Sequence, residues 1–168
     1  MTTKSDYTAE EWRLITGLPW AVGLAVILAE DKGGRKAAKK ELAALAEAPT
    51  QVAATLPHNA LVQSALPDVA ASAAAERIQP YSREKGETEQ MIYQDIYRMC
   101  QQLAAILAEK SPFDEREGYK QFVLGIGRVA ADAVADAEFL GIGGGTLSAN
   151  ERKLLRALGE ALQIVEED

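Results

Sequence analysis

A chain of 168 residues is long enough for one domain that buries about 70% of its extended-chain surface, so a core forms without disulfides or a structural metal. The net charge of −7 opposes general nucleic-acid binding, and the lone Cys100 excludes an internal disulfide, which fits a cytoplasmic location. Abundant alanine with only 6% aromatic residues is the composition of closely packed helices.

Residues 1–7 read as a disordered tail. Thr8-Ala9-Glu10-Glu11 is a helix start, with Thr8 capping backbone amides and Glu11 reaching back to complete a capping box. A short helix is expected to about Thr16, then a bend at Gly17-Leu18-Pro19, with Pro19 in the first turn of the next helix. Leu14 to Ala29 carries no charge over 16 residues. At 1.5 Å per residue the run reaches about 24 Å, short of a roughly 30 Å hydrocarbon core. Acidic residues, and not a basic region, precede it, so it reads as a buried central helix and not as a signal peptide. A helix apolar on nearly every face needs neighbours all round it.

Asp31-Lys32-Gly33-Gly34 is a stop, followed by a helix to about Glu47. Pro49, Pro57, Pro67 and Pro80 are expected to divide the next stretch into short helical pieces, and residues 79–88 to form an exposed loop. Two long helices follow. Ile92, Ile96, Met99, Leu103 and Ile106 recur at helical spacing, as do Tyr119, Phe122, Ile126, Val129 and Ala133. Ser111-Pro112 separates them, and they are expected to form an antiparallel hairpin. After Gly141-Ile142-Gly143-Gly144-Gly145, the capping box Ser148-Ala149-Asn150-Glu151 opens a last helix with Leu154, Leu155, Leu158 and Leu162 inward. No strand pattern of similar strength appears. The expectation is an all-α, single-domain bundle of about seven to nine helices.

Catalytic chemistry finds little support. The glycine run has Thr146 where a dinucleotide fingerprint needs its third glycine, it follows a helix instead of a strand, and no Walker Gly-Lys-Ser/Thr occurs. The only histidine, His58, sits in the turn Leu56-Pro57-His58-Asn59, and Cys100 beside Met99 reads as core packing. The chain is therefore expected not to be an enzyme.

Two charged constellations remain. Lys32, Arg35, Lys36, Lys39 and Lys40 stand against Asp31 alone, a net of +4 that leaves −11 for the rest of the chain. Arg35, Lys36, Lys39 and Lys40 share a helical face, a candidate site for an anionic membrane surface, a nucleic acid or an acidic partner. The same stripe is equally readable as a solvated face balanced by the chain's own acids. The second constellation is acidic and flanks the two helix junctions. Glu30, Asp31 and Glu41 surround one, and Asp132, Asp136, Glu138 and Glu151 the other. Several carboxylates beside the free carbonyls of a glycine-rich turn suit a hard divalent cation (Ca, Mg or Mn), although the spacing is not that of an EF-hand. Solvated helix ends and caps explain the same residues without a ligand.

The order alanine, acid, glycine, then Ser-x-x-Glu with leucines beyond resembles the tellurite-resistance TerB-like family. Ala135-Asp136, Gly145, Ser148, Glu151, Leu154 and Leu158 carry the second copy, and Ala29, Asp31, Gly33 and Glu41 the first. The second copy has an extra stretch, Glu138 to Gly144, and the first lacks its Ser/Thr-x-x-Glu. The resemblance implies an all-helical, non-enzymatic protein of stress-response assemblies, with Asp31, Asp136 and Glu151 as metal ligands. It also implies a protein partner, and a homodimer is compatible with it.

Overall fold

The structure, a computed structural model, describes residues 1–29, 35–72, 89–138 and 147–164. A 3-10 turn, Lys4–Asp6, precedes six helices among the described residues: α1 (Ala9–Ala29), α2 (Arg35–Ala54), α3 (Ala60–Ser72), α4 (Glu89–Lys110), α5 (Phe113–Glu138) and α6 (Ala149–Ala161). No described residue is in a strand, so the fold is all-α. The expected exposed loop, 79–88, lies outside the described residues.

α1 is the centre of the bundle and packs against all five other helices. Its charge-free run has no polar face, and burial on every side is what such a helix requires. It is long and apolar enough to cross a membrane by composition, yet 67% of its apolar window is buried inside the protein. Ile15, Leu18, Ala21, Val22, Ala25 and Val26 are the buried centre of one core cluster to which all six helices contribute. Two tryptophans tie α1 to α3: the Trp20 indole N–H donates to the Val69 carbonyl at 2.7 Å and that of Trp12 to the Asp68 carboxylate at 2.7 Å.

The bend expected at Gly17-Leu18-Pro19 does not form; α1 runs unbroken from Ala9 to Ala29 with Pro19 inside it. Proline cannot donate to the carbonyl four residues back, which is that of Ile15. The Tyr119 hydroxyl of α5 donates to this oxygen at 2.8 Å, so the carbonyl left without its helical partner is satisfied from another helix. The expected division of residues 49–80 is also corrected. Pro49 is buried within α2, which continues to Ala54, and Pro67 lies within α3.

Residues 1–7, expected as a tail, are held against the bundle. Thr2 is buried and its N–H donates to Glu115, while Tyr7 is buried and its hydroxyl bonds to Ser111 at 2.6 Å. The capping box at Thr8 forms as read: the Glu11 N–H donates to the Thr8 hydroxyl and the Thr8 N–H to the Glu11 carboxylate. α4 and α5 are consecutive, joined at Ser111-Pro112, but α4 packs chiefly on α1 and α6, and α5 on α1 and α2. The periodic residues of both face the core: Ile92, Ile96, Leu103, Tyr119, Phe122 and Ile126 are buried.

Candidate functional site

Of the acidic constellation's described side chains, Glu151 forms a cap, Asp132 is on the surface and Glu41 is buried. Glu151 is 4% exposed, and its carboxylate accepts from the Ser148 N–H at 2.7 Å while the Glu151 N–H donates to the Ser148 hydroxyl. This is the reciprocal capping box read from the sequence, and it occupies one carboxylate oxygen of the proposed ligand. Asp132 is exposed on α5. Asp136 lies on α5 with its side chain outside the described set, and Asp31, Gly33-Gly34 and the Gly141–Gly145 run lie outside the described residues altogether. Glu41, from the first junction, is buried on α2 at 3% exposure. Among the described residues no three carboxylate, imidazole or thiolate groups come together as metal ligands, so the described residues alone do not fit a bound cation.

Of the basic stripe, Lys39 and Lys40 are exposed on α2; the side chains of Arg35 and Lys36 lie outside the described set, as does Lys32. Cys100 is fully buried on α4, where loss of solvent pushes its thiol up to about 12. A thiol held in that state is a poor nucleophile. His58 is exposed in the turn between α2 and α3, whereas Cys100 is buried in the core.

Sequence reasoning missed a groove of about 980 Å³ between α5 and α6. Its apolar lining comes from Leu124, Leu147, Leu155 and Ile164, and three arginines stand around it: Arg128 from α5, Arg152 and Arg156 from α6. Arg152, Arg156 and Glu160 are four residues apart in turn, so they follow one line along α6. All three arginines are exposed, and Arg156 meets Glu160 at 3.5 Å in a pair that water reaches from both sides. Such a pair contributes at most about 1 kcal/mol and is open to exchange. Among the described residues, Arg128 and Arg152 have no ion-pair partner. A second hollow, of about 400 Å³, lies along α4 beside Tyr93 and Tyr97, and its described lining comes from that helix.

The end of α6 fixes the groove's shape. Gln163 adopts φ 57°, the Ile164 N–H donates to the Gly159 carbonyl and the Gln163 N–H to that of Glu160. These two bonds and the left-handed residue between them are a Schellman motif, which turns Ile164 back toward the core. Gly159 lets α6 approach α5 closely, since a Cβ there would come within 3.3 Å of a Leu124 methyl. Lys120, 5% exposed, pairs with Glu117 at 2.7 Å and reaches the Gln163 carbonyl at 3.4 Å, fastening this corner to α5. The signal available beforehand was the Arg152/Arg156 spacing; nothing local connects those two with Arg128.

Comparison with family models, with curated proteins and with solved structures gives no match to this chain.

Proposed function

We propose that this chain is a non-enzymatic helical binding protein of TerB-like organisation that serves a stress-response assembly by holding a protein partner in the α5–α6 groove. The observation that carries the reading is the groove itself, three arginines around an apolar lining on a protein of net charge −7. Interfaces are enriched in arginine, and a concave surface that combines exposed arginines with the half-buried Leu147 and Ile164 suits recognition more than solvation. The buried Cys100, its thiol pushed up, and the exposed His58 favour binding over nucleophilic catalysis. The reading places the protein in the cytoplasm, with the apolar α1 spending its surface on its neighbours. It retains the seven-to-nine-helix count and the antiparallel α4–α5 hairpin expected from the sequence, and it allows a second copy of the chain as the partner. The cation implied by the resemblance would need Asp31 and Asp136 in addition to the described acids.

A second reading is favoured by the exposure of Lys39 and Lys40: association with an anionic membrane surface through the basic stripe. Affinity capture from extract separates the two. Wild type and K39E/K40E should retain a stoichiometric protein that R152E/R156E loses. Sedimentation with anionic vesicles that disappears in high salt and in K39E/K40E, with capture unchanged by R152E/R156E, would establish the second reading instead. Turnover of ester or phosphoester substrates by the pure protein would overturn the non-enzymatic assignment.

A further inference from the structure

We infer that the α5–α6 groove receives one face of an acidic amphipathic helix from the partner, its carboxylates on the arginine rim and its apolar stripe on the half-buried Leu147 and Ile164. The inference rests on the reading of the groove as the binding surface and adds the chemistry of the occupant. Charge complementarity argues first. Among the described lining residues, one glutamate faces three arginines, so this part of the groove is opposite in sign to the net charge of the chain. Guanidinium groups match carboxylates in a bidentate fork, and the weak Arg156–Glu160 pair is readily replaced by a partner's acid.

Shape argues second. Arg152 and Arg156 lie about 6 Å apart along α6, the rise between residues four apart on any helix. A partner helix with acids at that same interval therefore presents both carboxylates in register. The walls are themselves helices, whose side-chain ridges accept a third helix between them. Half-buried Leu147 and Ile164 are the apolar groups with most left to gain from such a cover. An extended segment would bring unpaired backbone N–H and C=O groups against two helices, which offer no sheet edge to pair with them. A bilayer is flat and would reach only the rim. A nucleic-acid backbone leaves Leu147 and Ile164 uncovered and meets the repulsion of the net negative chain.

Fluorescence anisotropy with a labelled synthetic peptide tests this directly. The probe is about 16 residues long, enough for helix to form on docking, with leucines on one face and glutamates flanking them at four-residue intervals. A scramble of equal composition and an oligoglutamate serve as controls. The amphipathic peptide should bind at least about tenfold more tightly than either control, a difference of roughly 1.4 kcal/mol. R152E/R156E, in which both altered side chains are exposed, should bind about tenfold or more weakly while its circular dichroism and melting stay those of wild type, and K39E/K40E should bind as wild type does. Equal binding of scramble or oligoglutamate overturns the helix and leaves charge alone. Undiminished binding by R152E/R156E overturns the site. Sedimentation with phosphatidylserine vesicles that R152E/R156E abolishes overturns the peptide in favour of a lipid surface. If the peptide fails while partner capture still depends on Arg152 and Arg156, the occupant is wrong and the groove reading survives; if both fail, the groove reading falls with it.

Discussion

Pro19 has no N–H for the Ile15 carbonyl, and the Tyr119 hydroxyl that takes its place comes from a fully buried side chain. Burial also drives the Tyr119 phenol well above its usual range, so the group stays a neutral donor. Replacing Tyr119 with Phe removes the donor and leaves a buried carbonyl bare. The expected loss is about 1–3 kcal/mol in urea denaturation, with the helix content unchanged. Two glycines of α1 respond oppositely to an added methyl. Nothing lies within 4 Å of a Cβ at Gly17, whereas one at Gly23 collides with a Leu45 methyl, and Leu45 is itself 1% exposed. Gly17→Ala should therefore raise stability by about 0.5–1 kcal/mol through helix propensity, and Gly23→Ala should lower it by about 1–3 kcal/mol through overpacking.

α6 is the helix whose ends are most fully specified. Ser148→Ala removes the hydroxyl that accepts from the Glu151 N–H and should cost about 0.5–2 kcal/mol, while Glu151→Gln keeps an acceptor for the Ser148 N–H and should cost less. At the other end Gln163 holds a left-handed conformation that an L side chain adopts only at a cost. Gln163→Gly should stabilise by up to about 1 kcal/mol, since the Schellman bonds are made by backbone groups that glycine retains. Equal melting of Gln163→Gly and wild type would mean that flexibility gained by the unfolded chain offsets the relieved strain.

For the molecule as a whole, carboxylates near the N-terminus tie the start of the chain to α4 and α5 and set its acid sensitivity. The Lys110 ammonium, bonded to Glu11 at 2.7 Å, lowers the Glu11 carboxyl below its ordinary 4.5, with help from the Thr8 N–H. Partial burial works against Glu115, but the hydrogen bonds from Thr2 and the N-terminal charge outweigh it and lower this group too. A carboxyl lowered on folding contributes stability that is present above its unfolded value and is lost as pH falls through its folded one. Melting midpoints should thus decline as pH drops below 4.5, and Glu11→Gln should flatten part of that decline while melting lower than wild type at neutral pH. A cation bound only by the native state would raise the midpoint by about 5–10 °C at a hundredfold excess over its Kd. The cap commits one oxygen of Glu151 and leaves the other for a cation, so any rise in Mg, Ca or Mn should shrink in Glu151→Gln and vanish in Asp136→Asn. A flat curve in all three ions removes the cation from the proposed function.

What could be read from the sequence is what acts over a few residues. The starts at Thr8 and Ser148 were legible because a cap joins a side chain to a backbone amide three positions away. The buried faces of α4 and α5 were legible because helical spacing repeats every three or four residues, and the central place of α1 because a run without charge leaves no face for water. Tertiary structure decided the rest. Whether Pro19 breaks α1 depends on Tyr119, and whether residues 1–7 stay loose depends on Glu115 and Ser111, all of them about a hundred positions away. The groove belongs to the same class: Arg152 and Arg156 are neighbours by helical spacing, but only the packing of α6 on α5 brings Arg128 and Leu124 opposite them. Local rules state which side chains share a face; which faces meet depends on how the whole core closes, and no short-range signal encodes it.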